Sequence, residues 1–232
     1  MILKNRSNNL GMQHDDRDVS MLLIDTCGEG AGVAVSVGDQ VVVTADLSRS
    51  SGSSAIIRAI EDVMHESGHQ LAQLSAIAVV NGPGSFTGVR VGLAAASGLA
   101  EAAQLRMLTV SRLKVLAATT ALKDGWVVLD AGHSGCYAMS VIDGRYGPEM
   151  LLGLDSLRDL AGDSERILAD ERVGDLLQNR YPELRVRVRP LRVADALPLS
   201  LGVYKTAELQ TGSMEANYLQ GTNDIYKAKP HV

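Results

Sequence analysis

Two aspartates stand where apolar runs give way to glycine: Asp25 in "LLIDTCGEG" and Asp130 in "VVLDAGHSG". A carboxylate at a strand end, beside a turn that leaves backbone N–H groups bare, can hold a magnesium-bound water and face a phosphate. Alone, each is also an ordinary structural turn. Two of them on facing lobes would line a phosphotransferase cleft of the actin-like kind. A third segment, "NGPGSFTGVRVG" at 81–92, places four glycines and a proline directly after the apolar "AIAVV". It runs into a helix N-terminus, where unpaired N–H groups and the helix dipole favour an anion, so Gly82, Gly84 and Ser85 join Asp25 and Asp130 as candidate phosphate contacts. No Gly-Lys-Ser/Thr follows, which excludes a Walker P-loop.

Other candidate chemistry is thinner. His65 and His69 in "HESGH" have the spacing of helical zinc ligands, but Gly68 ends the helix before His69 is reached, and a solvated helix end is the simpler reading; no metal site is expected. No Ser-His-Asp or Cys-His arrangement stands out, and Cys27 reads as a small half-buried residue at a turn. In "RYPELRVRVRPLR" alternation puts Arg185, Arg187 and Arg189 on one strand face, either a track for a nucleic-acid phosphate backbone or a charged edge that discourages aggregation.

The elements that would position these residues follow from periodicity. "MLLID", "GVAVSV" and "QVVVTADL" read as three strands joined by turns. "SSAIIRAIEDVMHESG" carries Ile56, Ile57, Ile60, Val63 and Met64 on one helical stripe. A strand "AIAVV", a helix "VRVGLAAASGLAEAA", the strand "RMLTV" and the helix "SRLKVLAATTAL" complete a first lobe. On the second helix Gly88, Gly92, Ala96 and Ala100 share a face. Glycine costs about 1 kcal/mol against alanine there, so a bare face implies another backbone close by, within the fold or from another chain.

From residue 125 the pattern restarts. Laid without gaps over "VVLDAGHSGCYAMSVIDG", the first hairpin puts Asp25 on Asp130 and Gly30 on Gly135. A duplicated unit is expected: two similar α/β lobes, 21–124 and 125–232, each a mixed sheet with flanking helices, the second reduced. Residues 1–20 read as a loose polar tail without the apolar core of a signal peptide. The second lobe continues through "LDSLRDLAG", "RILA" and "ERVGDLLQNRY" to a last helix in which Pro198 is an irregularity.

Composition bounds the class. The chain has 232 residues, 46% of them hydrophobic, and a net charge of −5, so it can bury a core and exerts no global attraction on nucleic acid. Two cysteines are too few for a disulfide scaffold and suggest a reducing compartment. No apolar stretch approaches the roughly 20 residues of a membrane span. A cytoplasmic globular protein is expected.

The Asp25 hairpin, "VVNGPGSFTGVRVGLAAASGLA" and "LTVSRLKVLA" together resemble the TsaB (YeaZ) family, over about residues 21–145. The resemblance implies an actin-like (ASKHA) fold and a role in making threonylcarbamoyladenosine beside the anticodon of tRNAs that read codons beginning with A. It also implies a non-catalytic subunit that pairs with the catalytic relative TsaD and is joined by the ATPase TsaE, with ATP and magnesium used by the complex and no cofactor held by this chain. In TsaD a His-x-x-x-His motif holds the metal; the matching positions here are Arg112 and Leu116, and neither can do so. In the family the first-lobe helices form the partner surface. Ile56, Ile60, Met64, Gly88, Gly92, Ala96 and Ala100 are therefore the expected interface, open to homodimer formation when TsaD is absent. The chain departs from the family in three places: "SGSSAI" has no histidine early in the first helix, Asp130-Ala131-Gly132 replaces Asp-Ala-Arg, and the C-terminus diverges. The rival reading is a small actin-like ATPase or kinase with Asp25 and Asp130 around Mg-ATP.

Overall fold

In the first half of the computed structural model, the strands β1 (Ser20–Asp25), β2 (Gly32–Val37) and β3 (Gln40–Asp46) form an antiparallel meander, because alternating apolar runs are broken by tight glycine turns. The helix α1 (Ser53–Ser67) then leads to β4 (Ala76–Val80), which lies parallel to β1 on its other side. A second helix, α2 (Phe86–Ala103), returns the chain to β5 (Arg106–Val110), parallel to β4. The sheet order is β3-β2-β1-β4-β5. The structure describes residues 19–48, 53–132, 135–162, 166–206, 216, 217 and 219. Most of the expected tail and of the divergent C-terminus lie outside them.

The second half repeats this topology. The strands β6 (Gly125–Gly132), β7 (Gly135–Ile142) and β8 (Arg145–Gly153) form the meander. Next come α4 (Leu154–Ala161), β9 (Arg166–Ala169), α5 (Glu171–Arg180) and β10 (Arg185–Val188). The order β10-β9-β6-β7-β8 is that of the first sheet read from the opposite edge, with parallel β6–β9 and β9–β10 pairs. Asp25 closes β1 where Asp130 sits in β6, so the gapless repeat in the sequence is a structural duplication. The reduction lies mainly in the helices: α4 has 8 residues against 15 in α1, and α5 has 10 against 18 in α2.

Between the sheets lies α3 (Arg112–Ala118), a seven-residue helix with Arg112, Leu113, Val115, Leu116 and Ala117 all buried. It wedges the two lobes onto one continuous core that contains Val79, Leu116, Leu129 and Leu168. A second cluster holds α4 and α5 against the far face of the second sheet.

Three boundaries differ from the sequence reading. The fold begins before Met21, since Val19 and Ser20 are buried and Ser20 already pairs with Val37. The last helix is a 3-10 turn (Val193–Ala196) followed by α6 (Leu197–Thr206). Pro198 thus sits in the first turn of a helix, where its missing N–H costs nothing. Finally, this segment does not stay with the second lobe: Val193, Leu197 and Leu201 pack on Met21, Leu23 and Ala78 and cover the outer face of the first sheet.

Candidate functional site

The two aspartate hairpins face each other across a cleft of about 310 Å³. Asp25 is buried, and its Oδ1 accepts the Cys27 N–H at 2.8 Å. Its Oδ2 faces Arg112 Nε at 3.6 Å. Arg112 is itself only 4% exposed, and its Nη2 donates to the Glu29 carbonyl at 2.7 Å. The guanidinium lies against Gly28 so closely that a Cβ there would come within 2.5 Å of Nη1. A cation supplied by the chain therefore fills the ground beside Asp25.

Asp130 is treated the same way. Its Oδ1 accepts the Gly132 N–H at 3.0 Å, and its Oδ2 pairs with Arg172 Nε at 3.2 Å. Asp170 caps α5 by accepting the Val173 N–H and also accepts the Asp130 N–H. Burial raises the Asp170 carboxyl from its ordinary value, against the pull of those two N–H donors. Burial, helped by the Asp130 charge, raises the Tyr137 phenol and pushes the Cys136 thiol up to about 12. Cys27 is raised well above its ordinary value by the same desolvation, with Asp25 adding to it. Both thiols are buried and free, so neither is a nucleophile at neutral pH.

The glycine-rich loop answers to the first hairpin rather than to open space. Ser85 N–H donates to the Cys27 carbonyl at 2.7 Å, and Arg112 N–H to the Gly82 carbonyl at 2.7 Å. A Cβ on Gly84 would lie 2.3 Å from the Cys27 carbonyl oxygen, and one on Gly88 only 2.0 Å from that of Thr26. Thr26 Oγ1 donates to the Gly88 carbonyl at 2.6 Å, and Ser85 Oγ caps α2 by accepting the Gly88 N–H at 3.2 Å. The bare backbone is needed for contact within the chain.

That finding corrects the expected partner surface. Gly92, Ala96 and Ala100 are buried against the chain's own sheet, Gly88 closes on Thr26, and Ile56 and Ile60 lie in the core at 4% and 5% exposure. Both helices turn their small and apolar stripe inward, α1 onto β2 and β3 and α2 onto β4 and β1. Met64 is half-buried between core and surface. The open side carries Ile57, Ala94 and Gly98, beside half-buried Val91, Ala95 and Leu99; at Gly98 a Cβ would meet nothing within 4 Å. Phe86 is half exposed at the cleft mouth with the Arg90 guanidinium 3.7 Å from its ring centre.

The arginine stripe is also reduced. Arg185 and Arg187 are exposed on the edge strand β10, but Arg189 lies beyond the strand and pairs with Asp195 at 3.1 Å. At the helical histidines, α1 stops at Ser67, and among the described residues no three His, Cys, Asp or Glu side chains converge on a metal site. Sequence reasoning identified Arg112 only as a position where a metal ligand is missing, and it overlooked Arg172 and Asp170 altogether. The signal for Arg112 was its place at the start of a short helix in which Lys114 is the one other polar residue.

Magnesium-ATP is the ligand the fold class implies, and these residues do not fit it. A magnesium ion needs a carboxylate with its water shell in place; Asp25 and Asp130 each have a guanidinium there instead. The cleft wall carries four carboxylates, from Glu29, Asp130, Asp170 and Glu171, against two guanidiniums, so a polyphosphate would meet net negative charge.

Two duplicated mixed sheets closing on a cleft between paired aspartate hairpins define a protein of the actin-like (ASKHA) class. The same overall fold is found in YeaZ from Pseudomonas aeruginosa, with a TM-score of 0.66 at 24% identity over 87% of this chain and 100% of that one. It is found too in component A of the Acidaminococcus fermentans (R)-2-hydroxyglutaryl-CoA dehydratase, at 0.54 and 11% identity over 81% and 98%. The model of the family described as TsaD, tRNA N6-adenosine threonylcarbamoyltransferase, matches residues 46–161; the chain belongs to this family, on its TsaB/YeaZ side. The Escherichia coli tRNA threonylcarbamoyladenosine biosynthesis protein TsaB is 37% identical over 105 residues, covering 45% of this chain and 46% of that protein. The chain spans about half the length of the curated relatives it matches.

Proposed function

We propose that this chain is a non-catalytic subunit that works with TsaD and TsaE to place the threonylcarbamoyl group on the adenosine beside the anticodon. The observation that carries the reading is the Asp25–Arg112 pair: where the catalytic relative has a metal ligand, this chain has a buried cation that neutralises its own aspartate. Leu116, at the second ligand position, is wholly buried. Kinship to curated TsaB proteins gives the pathway.

TsaD docks on the outer face of α1 and α2, around Ile57, Ala94 and Gly98, where small residues leave room for another chain's helices. The same face supports a homodimer when TsaD is absent. ATP and magnesium belong to the complex, which works in the cytoplasm with its tRNA; no described helix is long and apolar enough to cross a membrane.

The test is reconstitution. The purified chain should form a one-to-one complex with TsaD, measured by light scattering, and threonylcarbamoyladenosine should form on tRNA only when both and TsaE are present. The actin-like ATPase reading is the alternative, and the pairing of both aspartates with arginines speaks against it. ATP hydrolysis by the chain alone, abolished in Asp25→Asn, would establish it in place of the scaffold.

A further inference from the structure

A groove of about 1010 Å³ lies on the second lobe, away from the cleft, between the loop that follows α3 and the β10 edge. Its rim carries Lys123, Arg166, Arg185 and Arg187, all exposed. Arg185 and Arg166 are direct partners in the parallel β9–β10 ladder, and Arg187 lies two residues further along the same face. Three guanidiniums are therefore grouped by strand geometry, with neighbouring strands about 4.8 Å apart and alternate residues about 6.7 Å apart. None of these four cations makes an ion pair with a described residue, whereas Arg112, Arg158, Arg172, Arg180 and Arg189 all do. The acidic neighbour in the groove, Asp124, accepts the Asp143 N–H at 3.0 Å and so serves the β7–β8 turn. Ile142, 65% exposed, adds an apolar wall.

A protein with a net charge of −5 repels nucleic acid overall, so a contact with it must be made by a local concentration of cations. Arginine forks fit phosphate oxygens in pairs and stack on exposed bases, which lysine-rich solubilising edges do not do. We infer that this groove, with Arg166, Arg185, Arg187 and Lys123, holds the sugar–phosphate backbone of the tRNA while the partner subunit works on its adenosine. The inference rests on the tRNA-modification role proposed above. Arg189 is not part of it, since Asp195 already holds that charge.

The probe is a fluorescently labelled, unmodified tRNA transcript, titrated by anisotropy with the full chain in complex with TsaD at several salt concentrations. Arg185→Gln/Arg187→Gln should weaken binding at least tenfold. It should also flatten the log–log salt dependence by about 1.4–1.8, the slope expected for two lost phosphate contacts. Arg166→Gln/Lys123→Gln should do the same from the other wall. Arg158→Gln, on α4 and outside the groove, should change neither, and matching thermal melts would show that all variants fold. Unchanged affinity and slope in both double variants would overturn the groove. So would polyglutamate displacing the tRNA at equal charge concentration, which would mark a site for acidic protein segments. The two readings fail separately. If the wild-type complex makes no threonylcarbamoyladenosine the functional role falls, whereas the groove falls if product forms and the double variants bind tRNA like wild type.

Discussion

Arg112 is the residue on which the cleft's chemistry turns. It is buried with its counter-ion, and a charge in that position is tolerated only while its partner stays. Replacing Arg112 with methionine keeps the volume but leaves the Asp25 carboxylate buried with one N–H donor, from Cys27. That change is expected to cost roughly 3 kcal/mol of unfolding free energy, the usual scale for breaking a buried pair. Adding Asp25→Asn to Arg112→Met should restore most of the loss. A urea-unfolding cycle over the two single variants and the double variant measures it, and additive losses would mean the two side chains are not coupled. The pairing was not legible in the sequence because its partners are 87 positions apart and belong to different elements. Only the parallel packing of β4 beside β1 brings the start of α3 under the first hairpin. What could be read was the negative half of the finding, that position 112 cannot ligate a metal.

At the scale of elements, α2 shows how far periodicity reaches. The four-residue spacing correctly grouped Gly88, Gly92, Ala96 and Ala100 on one face, and the cost of glycine correctly required a close neighbour. It could not say whether that neighbour was the chain itself, because a core face and a partner face both favour small residues. The structure puts the neighbour inside, at Thr26. Opposite effects follow for two glycines on one helix. Gly92→Leu sends a side chain into Thr26 Oγ1, 2.3 Å from the ideal Cβ, and should destabilise by about 3 kcal/mol. Gly98→Ala points into open space and should stabilise by about 1 kcal/mol through helix propensity. Denaturant midpoints distinguish them, and equal effects would mean the two faces are wrongly oriented. Gly98→Trp extends the comparison to assembly: it should leave the monomer's melt unchanged and abolish the complex with TsaD in light scattering.

The duplication of the whole molecule was legible because each meander carries its own aspartate and turn at matching offsets. The interleaving of the lobes was not, since nothing in "VADALPLSLGVYKT" says which sheet it will cover. In the fold the chain leaves the second lobe after β10 and returns to the first, so the halves are not independent units. Val193, Leu197 and Leu201 are buried among Val19, Met21, Leu23 and Ala78, and each fully buried aliphatic side chain is worth about 1.5–3 kcal/mol. Against a total stability of about 5–15 kcal/mol, losing that layer removes a large part of the margin. It also opens one face of β1 and β4 to water, although both strands are apolar on both sides. A chain ending at residue 192 should therefore fail to unfold cooperatively and should bind a hydrophobic dye in the absence of denaturant. A circular permutant that joins the 189–206 segment directly to β1 should melt cooperatively, since it keeps the same contacts with a different chain order. A cooperative melt of the truncated chain, at a midpoint near that of the full chain, would instead show that the first sheet is stable without its outer layer.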